Sequence, residues 1–511
     1  FRGEHASYNP ILMNQILKEE WQWDGVVISD WGAVHDTHTA IIGGLDMEFG
    51  SWTDGLTEGT SNAYDNYWLA NSYLKGIKEG IYTDKELNEK VRRVLRLTFR
   101  TAMNNDRPWG SMVSDAHKTA CRKIGEEGIV LLQNNANLLP INLSKVKRIA
   151  VIGENAIKMM TVGGGSSSLK VKYEVTPLEG LKKRIGEQAE IIYARGYVGD
   201  PTGEYNGVKT GQNLKDDRSP KELRTEALQV ASNADIVLFI GGLNKSEYQD
   251  CEGTDRKTMD LPYNQNELIM DLLQVNKKLV VINISGTGVA MPWKNHVSTI
   301  LQAWYLGSET GNALASILMG DVNPSGKLPY TYYACLNQCG AHKLGEYPGH
   351  KGMDVLGNKV YDIPYNEGLF VGYRFIDKNK LKPNFPFGHG LSYTTFEYGK
   401  AKVNSKAIEK SEKLYITIPI TNTGNRAGAE VVQLYIKCLN SSVIRPIKEL
   451  KRFCKVELQP NETKEISFTI TAEELSFFDE KQHKWIAEPG KFEALMASSS
   501  ADIRSKVCFE L

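Results

Sequence analysis

The chain has 511 residues, of which 41% are hydrophobic and 24% charged, with 61 basic side chains against 61 acidic ones. That length exceeds a single core and suggests about three domains. A formal charge of zero at pH 7 implies neither a basic face for nucleic acid nor an acidic tail for a basic partner.

Residues 1 to about 105 read as the end of a larger α/β unit. Ile11 to Glu20 has helical periodicity, Gly25 to Ser29 reads as a strand and Val34 to Gly43 as a helix. Leu45 to Phe49 is a second short strand, followed by helical patterns over Asn62 to Glu79 and Thr83 to Met103, with Thr83 or Asp84 as N-cap. Two parallel strands with crossovers cannot close a sheet, so this region calls for partner strands. A polar stretch near 104–116 reads as a linker. The helix Ala116 to Glu126 then leads into Gly128 to Leu132, and further strands fall at 147–153, 190–194, 236–240, 278–284 and 300–304. Helical patterns at 221–231 and 264–275 separate some of them, the pattern of a doubly wound sheet. A loop-rich stretch, about 331–392, is dense in Gly, Pro, Tyr and Phe. Alternating runs at 413–421, 430–436, 449–458 and 463–470 indicate a β-sandwich.

No apolar stretch approaches the length that spans a membrane. The sequence opens on Phe1 without a leader pattern, so its start reads as removed or missing, which says nothing against export. Seven cysteines are scattered; Cys335 and Cys339 are the one close pair, open to a bridge, and no zinc-ligand spacing is present.

Val26 to Ile28 is an apolar run that ends in Ser29-Asp30-Trp31. A buried parallel strand has this character, and a carboxylate at its last position sits where α/β barrels keep their chemistry. Trp31 offers the flat apolar face on which sugar rings stack. By itself a Ser-Asp pair after a strand more often reads as a helix N-cap. A second acidic feature, Glu247-Tyr-Gln-Asp-Cys-Glu-Gly-Thr-Asp-Arg256, follows the strand 236–240, where ligands bind in such sheets. Four carboxylates in ten residues also suit a plain solvated loop. The functional reading centres on Glu252 and Asp255: Arg256 paired with Asp255 would leave Glu252 to carry a raised pKa and donate a proton.

Gly163-Gly-Gly-Ser-Ser-Ser168 lacks the Lys-Ser/Thr ending of a phosphate loop, and Gly153 alone does not make a dinucleotide fingerprint. A tight loop near a ligand fits better, with Ser166 and Ser167 as candidate substrate-binding residues. Neither G-x-S-x-G nor H-E-x-x-H occurs. His35-Asp36 reads as helix capping, and His5 has no assignment. No cofactor or metal is expected.

Lys18-Glu-Glu-Trp-Gln-Trp-Asp-Gly-Val-Val-Ile-Ser-Asp-Trp31 resembles the nucleophile segment of glycoside hydrolase family 3. Glu252-Gly-Thr-Asp-Arg256 resembles its acid/base loop. Gly125 to Asn135 with Leu139-Pro140, the Gly163 to Ser168 loop, Asn323 to Pro329, Tyr365 to Arg374 and Phe385 to Phe396 are similar to further segments of the family, in family order. Arg445 to Leu450 and Trp485 to Phe492 resemble its fibronectin type III-like domain, and the Ser-Asp-Trp, Val-His-Asp and Phe-Gly-Ser-Trp details look most like bacterial β-glucosidases. The resemblance implies the C-terminal part of a (β/α)8 TIM-like barrel at 1–105, a linker at 106–120, an α/β sandwich domain at 121–335, a loop-rich connection at 336–394 and a fibronectin type III-like domain at 395–511.

It further implies a retaining exo-β-glucosidase acting on terminal glucose of β-linked oligosaccharides, with Asp30 as nucleophile, Glu252 as general acid/base and Trp31 lining the site. Retention places two carboxyl groups about 5–5.5 Å apart, here a matter of how two domains dock. Cys251 is a small departure from the family pattern. The larger one is the barrel, whose earlier strands and sugar-gripping residues have no counterpart, so an upstream segment is expected to complete it. A β-xylosidase or α-arabinofuranosidase of the family and a non-catalytic sugar-binding relative are the alternatives, whereas a nucleotide-dependent oxidoreductase is disfavoured. Nucleic acid and membrane partners are not expected. A homodimer and a periplasmic or secreted location come from the resemblance alone.

Overall fold

The computed structural model describes residues 1, 4–49, 67–199, 204–205, 208–353 and 359–511, in two compact units, Phe1–Met112 and Val113–Leu511. The start of the helical pattern expected from Asn62, and Gly50 to Trp52 of the Phe-Gly-Ser-Trp detail, lie outside the described residues.

In the first unit a π-type helix spans Ile11–Glu20. Helix α1, Thr37–Ile42, starts three residues later than the periodicity suggests because Asp36 is its N-cap and accepts the Thr39 N–H at 2.7 Å. Helices α2, Asn71–Lys78, and α3, Asp84–Arg100, follow, the latter capped by Thr83. The two expected strands reduce to one parallel bridge, Ile28 to Met47. Among the described residues no further strand pairs with either run. Buried polar groups hold the bridge instead. Asp46 accepts the Val27 N–H at 2.8 Å and pairs with Lys18 at 2.9 Å, while Arg93 donates to the Gly25 carbonyl at 2.9 Å. The apolar core around it is small: Tyr8, Val27, Val34, Ala40 and Leu45.

The second unit opens with helix α4, Asp115–Gly128, capped by Ser114. Its sheet comprises β1, Val130–Asn134; β2, Arg148–Ile152; β3, Glu190–Ala194; β4, Ile236–Gly242; β5, Leu279–Ile284; and β6, Thr299–Gln302. The spatial order is β1-β6-β5-β4-β2-β3, parallel throughout except that β1 runs antiparallel to β6. The sheet is doubly wound, as expected, and carries one antiparallel edge strand. Alternate residues of each strand enter opposite cores: Val237 and Phe239 one, Leu238 and Ile240 the other. Both faces being buried, the strands read as unbroken apolar runs. Helices α6, Pro220–Ser232, and α7, Gln265–Val275, cover one face; α5, Pro177–Ile185, and α8, Thr310–Met319, cover the other. Capping boxes start α5 (Thr176 with Glu179) and α6 (Ser219 with Glu222). Gly180 and Gly311 allow α5 and α8 to touch: a Cβ on Gly180 would stand 2.1 Å from the Gly311 backbone.

The chain passes from β2 to β3 on one side and then to β4 on the other. This reversal opens a crevice beyond Ile152 and Gly242, where such sheets bind ligands. Further along, the strand Leu414–Asn422 buries Leu414, Ile416, Ile418 and Ile420 on one face. It pairs with Thr463–Ile470 in one sheet, and Glu449–Leu458, Gly428–Cys438, Lys491–Ser499 and Asp502–Glu510 make the other. The last two strands were not expected from the alternation.

Candidate active site

Gln265, fully buried, pins the end of β4 by exchanging two 2.8 Å hydrogen bonds with the Gly242 backbone. From that fixed end the chain enters the acidic loop. Asp250 is its anchor, accepting bonds from the Gly286 N–H at 2.7 Å, the Thr287 hydroxyl at 2.6 Å and the Tyr305 hydroxyl at 2.9 Å. Two residues on, the Glu252 N–H donates to the Gly164 carbonyl at 2.8 Å, and the Ser166 N–H donates to the Glu252 carboxylate. Gly165 lies between these two contacts at φ +125°, and a Cβ there would stand 2.4 Å from that of Glu252. The glycine loop is thus a cradle for one carboxylate, and no helix follows it to make a phosphate site.

The two loops, with Tyr347, wall a cleft of about 660 Å³ into which Ser166, Ser167, Asp250, Glu252 and Arg256 also face. Two sequence expectations fail here. Arg256 turns from Asp255 and donates to the Gly288 carbonyl at 2.6 Å; Asp255 takes the Tyr347 hydroxyl instead. Glu252 is not raised in pKa: the Ser166 hydrogen bonds hold its carboxyl below the ordinary value, because an acceptor given donors favours its charged form. Cys251 Sγ sits 3.2 Å from the Thr254 hydroxyl. Tyr347 and Asp250 carried no motif; one lay in a tyrosine-rich loop, the other looked like solvated charge.

In the first unit Asp30 is exposed and its Oδ1 accepts the Trp31 N–H at 2.8 Å. It does not cap a helix, since Asp36 caps α1. Trp31 is 68% exposed and stacks on Phe49 with centroids 5.8 Å apart. The Ser29 hydroxyl accepts the Phe49 N–H at 2.8 Å, tying the two chain ends together. His5 stacks on His35 at 4.2 Å. All seven cysteines are free thiols, Cys335 and Cys339 included, so that bridge does not form. Among the described residues no three His, Cys, Asp or Glu side chains gather as a metal site, and no helix is long and apolar enough to cross a membrane.

Residues 129–393 match the model of the glycosyl hydrolase family 3 C-terminal domain. The chain belongs to glycoside hydrolase family 3. A fibronectin type III-like domain of the kind joined to it here matches residues 430–500. Family 3 relatives include the β-glucosidase BoGH3A of Bacteroides ovatus, 48% identical, covering 100% of this chain and 67% of its own length. Thermostable β-glucosidase B of Acetivibrio thermocellus is 36% identical, covering 98% of this chain and 60% of its own. The crystal structure of a family 3 β-glucosidase from Bifidobacterium adolescentis superposes with a TM-score of 0.83 at 30% identity, covering 100% of this chain and 68% of that one.

Proposed function

We propose that the protein is a retaining exo-β-glucosidase that removes terminal glucose from β-linked oligosaccharides. Glu252, presented on the crevice loop of a family 3 sheet, carries this reading. Asp30 attacks the anomeric carbon, the bond to the leaving oxygen breaks, and Glu252 protonates that oxygen. Glu252, then ionised, deprotonates the water that hydrolyses the glycosyl-enzyme and releases Asp30. Trp31 offers a ring face to the sugar, and Ser166 and Ser167 offer donors at the cleft. In the free chain Glu252 is held charged by Ser166, so bound substrate must loosen that bond before the acid can act. A protein that only bound sugar would need no nucleophile paired with an acid/base.

The reading also includes barrel strands flanking the Ile28–Met47 bridge beyond those among the described residues. Its periplasmic or secreted location and its homodimer rest on family resemblance alone, and cell fractionation and sedimentation test them. Azide rescue tests the chemistry. Glu252→Ala with dinitrophenyl β-glucoside should regain turnover on adding azide and yield the β-glucosyl azide; absence of rescue overturns the assignment. Faster turnover of an aryl β-xyloside than of the glucoside overturns the sugar.

A further inference from the structure

Glu346 is 1% exposed, yet neither of its carboxyl oxygens has a hydrogen-bond partner, nor does Oε2 of Glu367. The two residues stand close enough for the Glu346 carboxyl to act on that of Glu367. Two carboxylates cannot bond one another, because each only accepts. A single proton between them turns one oxygen into a donor and removes the repulsion of two like charges. The charged groups on the surrounding elements are engaged elsewhere. Lys343 lies over the Phe375 ring at 5.7 Å, Lys378 over Phe370 at 3.8 Å, Arg374 pairs with Glu449 at 3.2 Å and Asp377 with Lys448 at 2.5 Å. The His342 ring stands edge-on to Tyr347 at 5.5 Å, and His350, Lys351 and Asp362 are exposed on a hairpin. A hard cation wants six to eight oxygens, and among the described residues no third acidic, His or Cys side chain joins the pair.

The pair is also connected to the cleft. The Glu346 N–H donates to the Ala341 carbonyl at 2.8 Å, closing a turn, and Glu367 packs against Gly340 at the turn's start. Tyr347, the next residue, bonds Asp255, three positions after Glu252 in the acidic loop.

We propose that Glu346 and Glu367 share one proton and so lock the 340–347 turn, through which Tyr347 and Asp255 hold the loop that presents Glu252. The pair is a positioning device and touches no substrate; it rests on the reading of Glu252 as acid/base. Burial first, and the Glu346 carboxyl second, raise the Glu367 pKa above its ordinary value of 4.5. A carboxyl raised by folding favours the folded arrangement below its unfolded value and loses that contribution as pH rises through the raised one. The lock therefore holds in acid and slackens on the alkaline side.

The test compares kcat/KM against pH for a β-linked glucose disaccharide, which needs acid help, and dinitrophenyl β-glucoside, which does not. In the full chain, Glu367→Gln supplies a permanent donor. Its alkaline limb on the disaccharide should move to higher pH while the limb on the aryl substrate stays in place. Glu367→Ala should lose roughly tenfold on the disaccharide, the scale of one lost hydrogen bond, and Gln at the same position should restore it. Tyr347→Phe should show the same split between substrates, independent of whether the Glu367 variants fold. Limbs of Glu367→Gln that superimpose on wild type, or a Tyr347→Phe loss equal on both substrates, overturn the proposal. So does calcium-dependent activity that Glu367→Gln abolishes, which would make the pair a cation site. Failure of the acid/base reading is separate: Glu252→Gln would then lose activity equally on both substrates.

Discussion

Ile28 and Leu238 both stand in apolar runs that lead into a loop of the candidate site, but they end differently. Ile28 is 42% exposed with one bridge partner, Met47; Leu238 is wholly buried between Val151 and Val280 on flanking strands. The local pattern is the same. What differs is the number of neighbours, and a strand's ladder and burial both come from neighbours. The unit of Asp30 compensates with the Lys18–Asp46–Arg93 network, whereas the unit of Glu252 relies on two apolar layers.

Chemistry separates the two units most widely. Asp30→Asn should lower kcat/KM by on the order of 10⁴-fold on good and poor leaving groups alike, since both need the covalent step. Glu252→Gln should lose about 10²–10⁴-fold on a disaccharide and little on dinitrophenyl β-glucoside. Steady-state kinetics on both substrates reads the two, and equal behaviour of the variants would remove the division of roles. Stability sharpens the contrast next. Leu238→Ala should cost about 3 kcal/mol, against about 1.5 kcal/mol for Val27→Ala in its smaller core. Hydrogen exchange of peptides from each unit measures them separately. Gly165→Ala should cost roughly 1–3 kcal/mol in backbone strain and displace Glu252, visible as a selective loss on the disaccharide. The smallest effect is on pH. Glu252 has its pKa lowered by folding, so its contribution to stability is present above the ordinary value of 4.5 and is lost as pH falls through the lowered one. Carbon-labelled glutamate followed by NMR should show that low midpoint in the free protein and a rise when glucose binds.

Much of the fold was legible. The strands Glu190–Ala194, Glu449–Leu458 and Thr463–Ile470 fall at the residues their patterns mark, because period and β-branched content are local properties. Thr83 announces its helix for the same reason. The candidate site was legible as motif: Ser29-Asp30-Trp31 and Glu252 to Arg256 each stand in an identifiable position of the chain. Less legible was anything needing a partner. The strands Lys491–Ser499 and Asp502–Glu510 alternate imperfectly, with register shifts at Met496–Ala497 and Ala497–Ser499, so the period alone did not mark them.

Local pattern alone marked most of the longer strands and helices, several caps and two candidate carboxylates, since propensity, period and motif are carried by neighbouring residues. Tertiary structure alone decided that β1 runs antiparallel at its edge, that Arg256 serves the Gly288 carbonyl, that Tyr347 reaches Asp255, and that Ser166 holds Glu252 charged. Those contacts join residues 32 to 172 positions apart, and a proton's affinity for a carboxylate depends on the donors that folding brings to it.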